Sequence, residues 1–227
     1  MIVPVESPPA LVMGYTRGEA AGLLGGGGIL GVAIQEGVTR DARREVAARL
    51  NELMQDWRME QALAEECAGV LKTRSIRPLE EIRLMPPVPL PDAPAPTEKD
   101  PGPFVAHPVQ WKRGADAALG WRSAPPLRQY PSDPASAAVD WALEVGQVSL
   151  MVLSDGVMQM EIQARLLHTA TGRILAKGST VGRSEPGPVE DGVPAARRLE
   201  RQYRAGAGRL CAAMLADMKM ITSEARP

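Results

Sequence analysis

Apolar positions along this chain change their period several times, and each change marks a new element. Ile2-Val3-Pro4-Val5 suits a short strand, stopped by Ser7-Pro8-Pro9, where two prolines remove two ladder donors. From Thr39 the period turns helical. Val46, Leu50, Leu53, Met54 and Trp57 recur at spacings of four and three, with Asp41 or Thr39 available as N-cap and charges filling the opposite face. The stripe continues through Leu63, Cys67, Val70 and Leu71, so the helix either runs to about Lys72 or bends between Asp56 and Met59. Ile76 to Met85 then reads as a strand with Ile82 and Leu84 facing one way.

The C-terminal half is more regular. Val139, Trp141, Leu143 and Val145 alternate with polar or small neighbours, and Val148, Leu150 and Val152 resume the alternation in shifted phase, which a bulge near Gly146 explains. After a hairpin turn at Ser154-Asp155-Gly156, Met158, Met160, Ile162, Ala164 and Leu166 alternate strictly with Gln159, Glu161, Gln163 and Arg165. That pattern predicts one buried and one wet sheet face, with Glu144 and Glu161 on the wet side. A second turn at Thr169-Ala170-Thr171-Gly172 leads into a strand from Arg173 to Val181 and completes a meander. Leu199, Tyr203, Ala207, Leu210, Met214 and Met218 form one stripe of a closing helix that should lie on the sheet.

These elements predict a single α/β (α+β) domain over residues 1–227. It is a two-layer sandwich in which a mixed sheet of about five strands carries two long amphipathic helices on one face. Residues 86–136 are set apart by proline. Thirteen of the chain's twenty-one prolines fall between Leu84 and Ser136, a composition that favours extended polyproline geometry and predicts a surface insertion. Trp111, Trp121 and Tyr130 at its far end suggest that this end docks on the body.

Residues 20–37 form a second unusual segment. Ala20 to Gln35 carries no charge, and four consecutive glycines sit at its centre. A bilayer span takes about 20 apolar residues, and each helical glycine costs about 1 kcal/mol against alanine, so a transmembrane helix is a poor reading. A close-packing contact surface formed by Leu23, Leu24, Gly25, Gly26, Gly27, Gly28, Ile29 and Leu30 is the better one, against its own domain, a second copy or a membrane surface.

Composition narrows the chemistry. Apolar residues make up 44% of the 227, enough for a core, whereas aromatics make up 4%, so Leu, Val, Ile, Ala and eleven methionines must fill it. A net charge of −1 and few rings argue against a nucleic-acid partner. Gly26, Gly28 and Gly31 have dinucleotide-fingerprint spacing, but no strand precedes them closely and no acidic ribose ligand follows. Lys177-Gly178-Ser179-Thr180 lacks the upstream glycine of a phosphate loop. The two histidines, His107 and His168, stand far from each other and from any metal-ligand spacing, and His168 with Ser154 or Ser179 lacks a nucleophile elbow. Neither a catalytic residue, a cofactor site nor a metal site is therefore nominated. Arg197, Arg198, Arg201, Arg204 and Arg209 give the last helix a basic side that either solvates it or meets an acidic partner or lipid head. Cys67 and Cys211 lie on separate apolar stripes and are expected as buried free thiols, pairing only if those two helices pack together.

Asp140-Trp141-Ala142-Leu143-Glu144-Val145, Ala164-Arg165-Leu166-Leu167 and Thr169-Ala170-Thr171-Gly172-Arg173-Ile174-Leu175, with the opening Ile2 to Ser7, resemble small bacterial envelope proteins. These include TolB N-terminal-like domains, the curli-secretion lipoprotein CsgG and auxiliary lipoproteins of ABC transporters. The resemblance covers some sixty residues and rests on strands and turns. It implies a periplasm-facing or outer-membrane-associated α/β domain, often lipid-anchored, that works through protein contacts rather than catalysis. This chain departs from the pattern in having no lipobox cysteine and an unusually long insertion. The expected function is accordingly a non-enzymatic envelope scaffold with a protein partner or self-association, its export signal lying outside the given sequence. The alternatives are a small-ligand or nucleotide-binding domain or enzyme using the glycine-rich loop, and a cytoplasmic interaction domain with a proline-rich arm.

Overall fold

Strand β4 (Trp141–Val152) is the spine of the molecule, because it pairs on both sides. The computed structural model describes residues 1–12, 29–76, 79, 81–95, 102–132, 134, 139–153, 157–184, 189–190, 193–194 and 196–222. On one side β4 runs antiparallel to β5 (Met158–His168), which pairs antiparallel with β6 (Arg173–Arg183). On the other side it meets two short parallel strands end to end, β1 (Ile2–Pro4) and β2 (Ala10–Val12), with Pro8 and Pro9 in the gap. β3 (Phe104–Val105) pairs parallel with β2 and completes a mixed six-stranded sheet. A separate small ladder joins β7 (Val189–Glu190) to β8 (Val193–Pro194).

The meander forms as its alternation predicts. The phase change is a bulge between Gln147 and Ser149, next to Gly146, and the second turn closes on Gly172 at φ +66°, a left-handed conformation that glycine adopts without strain. Helix α1 (Ile29–Leu53) and helix α2 (Met59–Arg74) are separated by a short elbow, so the long stripe does bend between Asp56 and Met59. The proposed caps Thr39 and Asp41 lie inside α1 instead of before it, because helical geometry already begins at Ile29. The closing helix α4 (Ala196–Asp217) buries Leu199, Tyr203, Ala207 and Met214 completely and Leu210 nearly so. Together α2, α4 and the end of α1 cover the sheet face that carries Leu143, Val145, Ile162 and Ala164. The mixed sheet with long helices on one face is the expected α/β sandwich.

Two segments differ from expectation. Among the described residues from Ile76 to Met85 there is no continuous strand. Pairing with β1 starts at Arg83, whose carbonyl accepts from Ile2 N at 2.8 Å, and continues through Val88, which donates to Pro4 O at 2.9 Å. Prolines at 86, 87 and 89 have no N–H to give, so this edge is held by isolated bridges, and a sheet edge is one of the positions where proline is tolerated.

The proline-rich region, in turn, is more than a surface excursion. It contributes β3 and a helix, α3 (Pro108–Trp121), which starts on Pro108 with His107 as N-cap, the imidazole Nδ1 accepting from Val109 N at 3.3 Å. α3 lies on the sheet face opposite the other helices, where Ala118 and Trp121 pack with Val5, Leu90 and Val148. Trp121 and Tyr130 are buried, while Trp111 is half-buried.

Candidate functional site

Covering the second sheet face turns its polar residues inward. Glu144 and Arg165 face each other across β4 and β5, and both side chains are fully buried. The expectation that Glu144 belongs to a solvated face is therefore wrong, because α3 and the loop after it exclude water there. Glu161, further along β5, is half-buried. The Arg165 guanidinium donates through Nε to Glu144 Oε2 and through Nη1 to the carbonyls of Trp121 (3.0 Å) and Ala124 (2.6 Å). Its Nη2 donates to Pro125 O at 2.7 Å, and its Cζ lies 5.3 Å from the centre of the Trp121 ring. Glu144 Oε1 accepts from Tyr130 Oη at 2.7 Å and from Leu127 N at 3.0 Å. Burial, reinforced by the Glu144 carboxylate, raises the Tyr130 phenol above its ordinary range.

Chemically this network is closed. Each carboxylate oxygen and each guanidinium nitrogen is engaged by the protein itself, so the cluster fastens residues 121–130 to the sheet and presents no free acid, base or nucleophile to a substrate.

A second polar cluster lies at the elbow between α1 and α2. A cleft of about 450 Å³ opens there, lined among others by Trp57, Arg58, Gln61, Arg197, Glu200 and Arg204. Trp57 stands edge-on to Tyr203 with ring centres 5.0 Å apart. Arg204 binds Glu65 at 2.8 Å and Glu200 at 3.1 Å, and lies 3.6 Å from Glu66. Its hydrogen bond lowers the Glu65 carboxyl below the ordinary range, and the same bond raises the guanidinium. Arg204, one of the arginines on the basic side of α4, is thereby neutralised by its own neighbours.

The helix interface holds one covalent tie that contradicts the expectation of free thiols. Cys67 on α2 and Cys211 on α4 are joined in a disulfide, with their Cα atoms 5.2 Å apart and both residues buried. The condition for pairing is met because the buried faces of α2 and α4 pack directly on each other.

Of the proposed contact residues, Leu23, Leu24, Gly25, Gly26, Gly27 and Gly28 lie outside the described residues, and Ile29 and Leu30 open α1. His107 caps α3, and His168 Nδ1 lies 3.2 Å from Thr171 Oγ1. Ser179 accepts from Arg122 Nη1 at 3.2 Å, and Ser154 lies outside the described residues. Among the described residues no cluster of His, Cys, Asp and Glu could hold a metal, and no helix is long and apolar enough to cross a membrane.

No protein-family model and no curated protein matches the chain. Among solved structures it is similar to protein XCC0632 of Xanthomonas campestris, described under the family DUF330, at 18% identity and a TM-score of 0.27. That match covers 35% of this chain and 47% of the other, so the chain spans about half the length of that relative. It is also similar to the hypothetical protein CT253 of Chlamydia trachomatis, at 11% identity and a TM-score of 0.30, over 69% of this chain and 87% of the other.

Proposed function

We propose that this chain is a non-enzymatic α/β domain of the bacterial cell envelope that works as a scaffold or assembly component through protein contacts. The observation that carries this reading is the buried Cys67–Cys211 bond between α2 and α4. Structural disulfides form and persist in oxidising compartments and are rare where glutathione and thioredoxin keep thiols reduced, which favours the envelope over the cytoplasm. The self-satisfied Glu144–Arg165–Tyr130 network adds support, since the most deeply buried ionic groups serve architecture. The glycine-rich stretch through Leu30 remains the proposed contact segment, and a protein partner is preferred over a membrane surface or nucleic acid.

The test is thiol trapping in the producing bacterium combined with fractionation. Cells are quenched in acid, free thiols are blocked with a mass tag under denaturing conditions, and the chain is followed by immunoblot. The reading requires an untagged, oxidised chain in the envelope fraction. A chain recovered from the cytosol with both thiols tagged overturns it. Thermal-shift screening against nucleotides and phosphorylated metabolites addresses the small-ligand alternative, because a ligand at a hundredfold its dissociation constant adds about 2.7 kcal/mol.

A further inference from the structure

β6 ends the sheet. β5 pairs along one side of it, and among the described residues no strand pairs along the other. It is eleven residues long, with no proline between Arg173 and Arg183, and its one irregularity against β5 lies near the Arg173 end. Natural edges of this length are usually shortened, broken by proline, covered or charged, since a bare row of N–H and C=O groups is a template for another strand. Here the device is charge, carried by Arg173, Lys177 and Arg183, which repels a like-charged strand and leaves an acidic one admitted. α4 lies over one face of β6, and among the described residues no strand covers the edge itself.

The side chains along this edge have a consistent character. Lys177, Ser179, Val181 and Arg183 share the face that pairs with Arg165, Gln163, Glu161 and Gln159 of β5. Val181 is 62% exposed, the most exposed large apolar residue among those described. Arg173, Lys177 and Arg183 are exposed, and none is in an ion pair among the described residues. β6 contains no acidic residue. On the α4 side, a cleft of about 110 Å³ opens beside Gly182, bounded by Met158, Met160 and Leu210 and completed by the cations Arg183 and Arg209.

We propose that β6 accepts an extended segment of a partner protein as an added strand, and that this segment alternates acidic with apolar residues. The inference rests on the contact-mediated function proposed above and names the surface and the chemistry of the partner. Main-chain hydrogen bonds to the open edge supply binding, as in other strand additions. With side chains alternating between the two faces of the added strand, the acidic ones lie on the face of Lys177 and Arg183 and set the sign, and the apolar ones lie on the α4 side and fill the cleft beside Gly182. A second copy of the chain is a poor occupant. Pairing β6 with itself brings three cations from each strand, six in all, into one ribbon without an acid, and like charges opposed across strands destabilise pairing.

The test uses the purified, oxidised full chain and two short fluorescein-labelled peptides, one alternating glutamate with valine and one with lysine in place of glutamate. Fluorescence anisotropy should show the acidic peptide binding at least about tenfold more tightly. Saturation should slow amide exchange across residues 173–183. The double variant Lys177→Glu/Arg183→Glu should lose about tenfold in affinity for the acidic peptide at an unchanged melting temperature, since both side chains are exposed. Equal affinity for the two peptides, or unprotected β6 amides at saturation, overturns the proposal. So does sedimentation as a dimer whose β6 amides are already protected, which assigns the edge to a second copy. Failure of these measurements with an oxidised, envelope-located chain removes strand addition alone. Success with a reduced cytosolic chain removes the compartment instead.

Discussion

Glu144 and Arg165 stand directly opposite each other on β4 and β5 and form an ion pair without solvent exposure beneath residues that arrive from a distant, proline-rich part of the chain. Removing one partner leaves the other charge buried and alone, which costs about 3–5 kcal/mol. Glu144→Leu should therefore destabilise the protein by that amount in urea unfolding. The double variant Glu144→Leu/Arg165→Met should fall well short of the sum of the two single losses. It does not become neutral, because the carbonyls of Trp121, Ala124 and Pro125 lose their donor. The Leu127 amide, which donates to Glu144, should exchange faster in either variant. Additive losses in the double-mutant cycle would show that the two residues do not act as a pair.

Cys67 and Cys211 are 144 positions apart, so their bond closes most of the chain into one loop. Cross-links of this kind stabilise by roughly 2–5 kcal/mol. Cys67→Ala/Cys211→Ala, or wild type held in reductant, should lose that much unfolding free energy in guanidinium, seen as a lower midpoint. An unchanged midpoint on reduction would mean that the helix packing suffices without the tie.

The meander and the closing helix are legible in the chain because each depends on a local period: alternation at Met158 to Leu166 and a single stripe from Leu199 to Met214. The elbow is legible only as one of two alternatives, because the stripe runs on beyond it through Leu63 and Leu71. The buried polar network is not legible in the same way. Gln163 and Arg165 repeat at the spacing that a solvated face also shows, and what buries them is α3, on the far side of a long polar loop. A signal for α3 does exist in Pro108 following His107 and in the Ala115, Ala118 and Trp121 spacing, but the surrounding prolines mask it. β2 and β3 have three and two residues, too few to show any period. The disulfide depends on a helix–helix contact that neither stripe alone contains.

Gly178 lies under α4 at close range. A β-carbon there would stand 2.7 Å from Met218 Sδ and 2.9 Å from Met214 Cγ, and Met214 is fully buried. Gly178→Ala should therefore force α4 away and cost about 1–3 kcal/mol. Gly69, exposed within α2, has nothing within 4 Å of the equivalent position, so Gly69→Ala should stabilise by about 0.5–1 kcal/mol through helix propensity. Thermal denaturation of the two variants separates close approach from backbone freedom. A neutral Gly178→Ala would show that Met214 and Met218 can yield.

Tyr130 and Tyr203 place a limit on alkaline stability. Burial is the main cause that raises both phenols above the ordinary value of 10.0; the Glu144 carboxylate adds to it at Tyr130 and the Glu60 charge at Tyr203. In the unfolded chain both phenols lose their protons near that value, whereas the folded chain retains them. The unfolded state then binds fewer protons, so stability is fully present below pH 10 and falls as pH rises above it. The slope per tyrosine approaches about 1.4 kcal/mol per pH unit, and the two together approach about 2.7. Tyr203→Phe removes one titrating group and leaves Met59 O without the hydroxyl that donates to it at 3.1 Å. That variant should be less stable near neutrality and should lose stability above pH 10 at about half the wild-type slope. Unfolding free energies measured in guanidinium at successive pH values above 9 check both statements, and identical alkaline slopes for the two proteins would show that Tyr203 ionises in the folded state.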